Sequence, residues 1–264
     1  MLGAIIGDIV GSRFEFRNLK SKNFEFLHPN CFITDDSVLS LAICEALLDS
    51  ADDWDKLEAR VTQSMWQIGR KYIDSGFGGM FLSWLETKNP KPYGSYGNGS
   101  AMRVSGCGYV SDSRETVKNV AHIVTAVTHN HPEGLKGAEA TAIGVYLARQ
   151  GQSLASIKEA LLEYYPIDFT LDEIRPTYQF TETCQGTMPY ALEALFESNS
   201  FEDAIRNAIS IGGDSDTIGA IVGGIAEPYF GIPAAMREAA LKYIPDDLRE
   251  ILERFEAKYP PKII

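Results

Sequence analysis

The chain has 264 residues, 45% hydrophobic and 23% charged, which suits a soluble globular protein long enough to bury a full core. Its 24 Lys and Arg against 36 Asp and Glu leave a formal net charge of -12. That balance repels nucleic-acid backbones and anionic membranes, so it excludes a general polyanion binder and leaves a small anion open only where a metal or a nest of N–H groups holds it.

The first residues, Met1 to Ile6, are apolar and meet Asp8 with no basic region before it, so they are not read as a secretory signal. Cys31, Cys44, Cys107 and Cys184 show no zinc spacing. They are expected to be reduced, buried thiols of a cytoplasmic protein. Gly3, Gly7 and Gly11 recur every fourth residue, the spacing of a helix face that packs closely. Glu15 follows this stripe among Arg13, Phe14 and Phe16. Only that company makes it a candidate acid/base. Phe14 to Phe16 and Phe24 to Phe26 are the only weak strand candidates.

An acidic knot comes next, Thr34-Asp35-Asp36-Ser37, just before a helix expected over Val38 to Leu48. Helical stripes then follow through Leu57, Val61, Met65, Ile68 and Tyr72, and through Val117, Ala121, Val124 and Thr128. Between them, Gly94-Ser95-Tyr96-Gly97-Asn98-Gly99 is a loop whose glycines can expose N–H groups to phosphate; it can equally be a plain turn. Arg103 after it is expected to pin the loop by a buried ion pair. At Thr128-His129-Asn130-His131 two histidines mark a helix break but fit no zinc motif. Leu135 to Leu147 reads as a buried helix of small residues, and Leu154 to Tyr164, Phe201 to Ile209 and Leu248 to Phe255 as amphipathic ones.

The second acidic knot, Gly212-Gly213-Asp214-Ser215-Asp216-Thr217, precedes an apolar run from Ile218 to Ile225. That run is too short to span a bilayer, and Glu227 and Pro228 are expected to end it. The whole chain reads as all-α and one compact domain, 1–264, with roughly ten or more helices at ordinary lengths.

Each acidic knot has a plain reading, because Asp and Thr cap helix N-termini. Two of the same composition point further. Hard oxygen donors from two helix starts suit Mg²⁺, Mn²⁺ or Ca²⁺ rather than zinc. Two such cations would neutralise carboxylates that otherwise repel, and would accept a ligand with vicinal oxygens.

Taken together, these features resemble the ADP-ribosylglycohydrolase family over nearly the whole chain, from Gly3 to Pro233. The most specific match is Thr34-Asp35-Asp36 with Gly213-Asp214-Ser215-Asp216-Thr217. The resemblance implies a binuclear Mg²⁺ or Mn²⁺ centre, with Thr34, Asp35 and Asp36 as one ligand set and Asp214, Asp216 and Thr217 as the other. It implies metals holding the diol of the distal ribose and hydrolysis at its C1. Glu15 matches the acidic residue near the metals, with Asp36 and Asp216 the alternative bases. Gly94, Ser95, Tyr96, Gly97 and Asn98 match the loop on the pyrophosphate and ribose, and His129 the phosphate-contacting histidine. Ser95 stands where some arginine-type members carry an acidic residue, which bears on the linkage cut. The implied partner is an ADP-ribosylated protein or small molecule, met by a monomer away from any membrane. Two other readings compete: an all-α metal-dependent hydrolase of a phosphoanhydride, and a non-catalytic ADP-ribose binder.

Overall fold

The computed structural model describes residues 1–264 and is 63% helical. In chain order the α-helices are α1 (Leu2–Gly11), α2 (Asp35–Ser50), α3 (Leu57–Lys71), α4 (Gly79–Glu86), α5 (Arg114–Ala126), α6 (Pro132–Arg149) and α7 (Leu154–Leu162). They continue with α8 (Leu171–Ile174), α9 (Cys184–Phe196), α10 (Phe201–Ser210), α11 (Ser215–Phe230), α12 (Ala234–Ala240) and α13 (Asp246–Lys258). The only β contacts are two isolated bridges, Gly97 with Thr183 and Ile232 with Ile263. Neither weak strand candidate forms: residues 14–16 lie in a turn and 24–26 in irregular chain. Their aromatic rings serve packing instead, with Phe14 edge-on to Phe24 at 5.1 Å.

α1 and α11 are apolar on every side and buried, the mark of core helices. They run antiparallel with backbones almost touching. Gly3 faces Gly223, Gly7 faces Gly219, and Gly11 faces Ser215 and Asp216. A Cβ on Gly7 would stand 1.9 Å from the Gly219 carbonyl oxygen, so side-chain-free positions set this crossing. The remaining helices wrap the pair: α9 and α10 lie beside α11, α3 and α13 pack on α2, and α5 packs on α6. The buried apolar side chains form one continuous core.

The ends of two helices set the frame of the site. The apolar run ends at Glu227, while the helix α11 that carries it continues to Phe230 with Pro228 inside it. A proline near a C-terminus removes only one bond from the last turn. The chain is turned by Gly231, at φ 81, whose N–H donates to the Glu227 carbonyl. The first-knot helix starts earlier than the expected Val38, at Asp35, with Thr34 as its cap.

This packing positions the site. The C-terminal end of α1 meets the N-terminal end of α11, and the N-terminus of α2 is tied to the same place by Asp8 of α1.

Candidate functional site

Asp8 is fully buried on α1. Its carboxylate accepts from Thr34 N–H at 3.0 Å, Thr34 Oγ1 at 2.7 Å and Ser37 N–H at 3.1 Å, and also from Ser37 Oγ. It thereby fixes the first turn of α2. Burial raises its carboxyl to about 6 against the pull of those hydrogen bonds. The sequence reading gave this residue no role. The signal was there: a lone carboxylate in a ten-residue apolar helix.

Thr34 caps α2 by accepting from Asp36 N–H at 3.3 Å. The carboxylate of Asp36 therefore stays free of capping. Its Oδ2 accepts from Thr34 Oγ1 and Thr217 Oγ1, each at 3.3 Å. Its Oδ1 is buried with no partner. The second hydrogen bond joins the two knots directly, across the full fold. Asp35 N–H donates to Ser75 O at 2.8 Å, and its carboxyl is raised to about 7, by burial first and then by Asp8.

The second knot turns through Gly212 (φ 69) and Gly213 (φ 79), left-handed backbone that suits glycine. Asn18 clamps Gly213 by accepting from its N–H at 2.7 Å and donating to its carbonyl at 3.0 Å. Asp214 occupies the cap position of α11 but its side chain makes no cap bond. Instead its Oδ2 accepts from Asn98 Nδ2 at 2.7 Å. Capping therefore accounts for neither Asp36 nor Asp214.

Carboxylate oxygens of Asp8, Asp36 and Asp216 lie within 4.8 Å of one another, and so do those of Glu15, Asp214 and Asp216. Asp216 belongs to both groups. No lysine or arginine forms a salt bridge with any of these residues or with Asp35. Burial, then neighbouring carboxylates, push Asp36 and Asp216 well above the usual range. Burial also raises Asp214 to about 7. An uncompensated buried acid cluster with an unpartnered oxygen is a poor structural device. Its donors, all carboxylate and hydroxyl oxygens, fit hard divalent cations.

Glu15 sits in the turn after α1, half-buried, its carboxyl pushed up to about 8 by burial and by Asp216. Its neighbours anchor it: Phe14 packs on Phe24, Phe16 stacks on Phe180 at 6.3 Å, and Asn18 Nδ2 donates to its carbonyl at 2.8 Å.

Glu15, Asp35, Asp36, Asp214 and Asp216 line a cleft of about 570 Å³ together with Tyr93 and Gly94 to Gly99. The loop is pinned rather than loose. Gly94 N–H donates to Asn130 Oδ1 at 2.8 Å, Gly97 N–H to Ser95 Oγ at 3.1 Å, and Asn98 N–H to Glu182 O at 2.7 Å. The N–H groups of Gly94 and Gly97 are thereby bonded inside the protein. Tyr96 is nearly half exposed over the cleft.

His129 lies behind this loop, buried, with Nε2 3.5–3.6 Å from where a Cβ on Gly97 or Gly99 would stand. Arg103 Nη2 donates to Thr128 Oγ1 at 2.7 Å, and Thr128 Oγ1 meets His129 Nδ1 at 2.7 Å. The Thr128 hydroxyl thus bridges the guanidinium and the imidazole and fixes the orientation of the ring. Burial, with Arg103 nearby, holds the ring well below its ordinary pKa and neutral. Arg103 is thus structural as expected, but through a hydrogen bond rather than an ion pair. His131 caps α6 by accepting from Glu133 N–H.

The structure therefore brings Glu15, Thr34, Asp35, Asp36, Asp214, Asp216 and Thr217 to one place, faces Gly94 to Asn98 toward them, and sets His129 behind that loop. No helix is long and apolar enough to cross a membrane, and all four cysteines are free and buried.

The ADP-ribosylglycohydrolase family model matches residues 1–262. ADP-ribosylhydrolase ARH3 of Mus musculus is 25% identical, over 97% of this chain and 87% of that protein. ADP-ribosyl-[dinitrogen reductase] glycohydrolase of Rhodospirillum rubrum is 26% identical, over 88% of this chain and 84% of its own. A solved structure titled "ADP-ribosylglycohydrolase-related protein complex" shares the fold, with a TM-score of 0.70 at 23% identity over 97% of this chain and 95% of that one. With its two acidic knots joined across a helical core and a family match along almost its full length, the chain belongs to the ADP-ribosylglycohydrolase family and is a glycohydrolase enzyme.

Proposed function

We propose that this enzyme releases ADP-ribose from modified acceptors by hydrolysing the glycosidic bond at C1 of the distal ribose, with residues 1–264 working as one domain. The observation that carries the reading is the junction of the two knots. Carboxylates from helix starts far apart in sequence meet without cationic partners and without being consumed as caps, beside a cleft large enough for a nucleotide sugar.

Thr34, Asp35, Asp36, Asp214, Asp216 and Thr217 would hold two divalent cations, Mg²⁺ or Mn²⁺. When bound, the cations offset the clustered charge and supply Lewis acidity beside a seat for vicinal hydroxyls. Asp8 orients Thr34 and Ser37, and Asn98 orients Asp214. Glu15 is the residue that moves a proton. Protonated, it gives one to the departing acceptor atom; ionised, it takes one from attacking water. Two carboxylates flanking the bond, the usual glycosidase arrangement, are not required here. Tyr96 offers a ring face to the adenine. Gly94 to Asn98 contact the pyrophosphate and proximal ribose. His129, held neutral by burial, supports that contact from behind the loop. The linkage profile follows the branch that lacks an acidic residue at the Ser95 position.

The deciding assay is product analysis on substrates of defined linkage in the presence of Mg²⁺ or Mn²⁺. Free ADP-ribose released from a modified peptide supports the proposal. AMP formed from ADP-ribose would instead identify a phosphoanhydride hydrolase. Metal-dependent binding without turnover of any linkage would identify a binder.

A further inference from the structure

Eight large hydrophobic side chains are exposed on this molecule, and six of them, Phe16, Phe32, Ile73, Met80, Tyr96 and Phe180, line two adjoining cavities or pack on a residue that does. Met80 and Tyr96 line the cleft already described. Phe16, Phe32 and Ile73 line a second cavity of about 440 Å³ beside it, and Phe180 stacks on Phe16. The two cavities share Glu15, Asp35 and Gly76. The proton-moving residue and one acidic knot therefore stand at the partition between them.

A glycosidic bond has two sides. If ADP-ribose fills the cavity on the glycine-loop side, with its C1 at the carboxylates, the acceptor must leave that cleft at the partition. We infer that the second cavity is the acceptor subsite, and that its occupant is a polypeptide segment carrying the ADP-ribosylated side chain, with an apolar residue seated on Phe32 and Ile73. The inference rests on the glycohydrolase reading.

Three observations favour a polypeptide over a small acceptor. The cavity exceeds the volume of any one amino-acid side chain. Away from the partition its wall carries an apolar face of Phe32, Ile33, Tyr72 and Ile73 beside Asp74 and Ser75, and its one cation, Lys71, is committed to Asp247 at 2.6 Å. A small polar acceptor could use Asp74 and Ser75 but would leave this apolar face uncovered. Phe32 is 54% exposed and Ile73 43%, a contiguous apolar rim of the kind that marks a protein contact.

The test compares two substrates of the same linkage. One is an ADP-ribosylated peptide with leucine beside the modified residue; the other is the single modified amino acid. Phe32→Ala and Ile73→Ala should each raise KM for the peptide about tenfold, the size of losing one well-buried contact. The kcat should hold, and KM for the amino-acid conjugate should stay within about twofold, below the cost of a buried contact. An unchanged peptide KM, or equal losses on both substrates, would overturn the inference. So would a wild-type enzyme that handles both substrates with the same KM. Both side chains are exposed, so the variants should fold, and unchanged ADP-ribose affinity checks that they have. Equilibrium binding of the intact modified peptide to Glu15→Gln, with and without Phe32→Ala, separates the two proposals. A peptide-specific loss of affinity there upholds the subsite even if no linkage is turned over, and its absence sinks the subsite even if the glycohydrolase reading stands.

Discussion

Asp214 and Glu15 lie in the same carboxylate group, yet their surroundings assign them different work. Asp214 is held by Asn98 and buried among acids, so Asp214→Asn keeps volume but removes charge from the cation site. Mg²⁺ or Mn²⁺ affinity, read by calorimetry, should fall, and ADP-ribose release should fall with it. Glu15 sits half-buried at the edge. Glu15→Gln should leave cation and ADP-ribose affinities nearly intact while single-turnover release drops by roughly 10²–10⁴-fold, the span of one general acid/base. Full turnover in Glu15→Gln would move the proton transfer to Asp36 or Asp216. Thr128 offers a different case. It links Arg103 to His129 in a buried relay, and Thr128→Val leaves both without that partner. Urea unfolding should show a loss of about 1–3 kcal/mol, the cost of stranded buried polar groups, and ADP-ribose affinity should weaken as the loop loses its backing.

At the scale of elements, the crossing of α1 with α11 matters most. It sets Asp8 beside the starts of both α2 and α11, so a change in the crossing is felt at the site. Gly7→Ala puts a methyl group against the Gly219 backbone, where no rotamer change can relieve it. The expected destabilisation is at least about 1–3 kcal/mol, the ordinary overpacking cost, with weakened cation binding in whatever still folds. Gly78 is the contrasting position, with φ -60 and open space where a Cβ would stand. Gly78→Ala should stay within about 0.5 kcal/mol of wild type. Parallel thermal melts of the two variants check both statements. The helices with one wet face, such as α3, α10 and α13, were legible from their period, and buried α6 from its run of small residues. α4 and α9 escaped notice; α9 carries Gly186 and Pro189, which blur its periodic signal.

For the molecule as a whole, the acid cluster couples folding to pH and to cations. Burial raises Asp8 to about 6 and Asp35 and Asp214 to about 7, from an ordinary 3.8. A raised folded-state pKa means the native protein binds more protons than the unfolded chain. The stabilising contribution is therefore complete below about 3.8 and is lost as pH rises through 6 to 7. In the chelated protein this contribution to Tm should decline across that window, against the background of every other titration. Adding Mg²⁺ or Mn²⁺ should raise Tm most above pH 7, where the carboxylates are ionised and ready to bind. Asp214→Asn should flatten the decline in the chelated protein. A Tm that responds equally to cations at pH 5 and pH 8 would show that the cluster is not where they act.

By itself the sequence determined the helical class, the two acidic knots, the glycine stripe and the glycine-rich loop, because each is written in local spacing and residue type. Glu15, too, was legible, but only by its company. Tertiary structure alone decided what those pieces do to one another. Whether Asp36 and Asp214 cap their helices depends on which group reaches the free N–H first, and Thr34 does so in α2 while Asn98 draws Asp214 away in α11. Asp8 looked like one polar residue in an apolar helix; its purpose arises from Thr34 and Ser37, brought to it by the packing of α2. The low pKa of His129 comes first from burial and then from Arg103, which is distant in the chain and close in space. The acceptor cavity exists only where the turn after α1, the segment before α2 and the end of α3 come together. Burial and proximity between distant residues create these properties, and no local pattern encodes them.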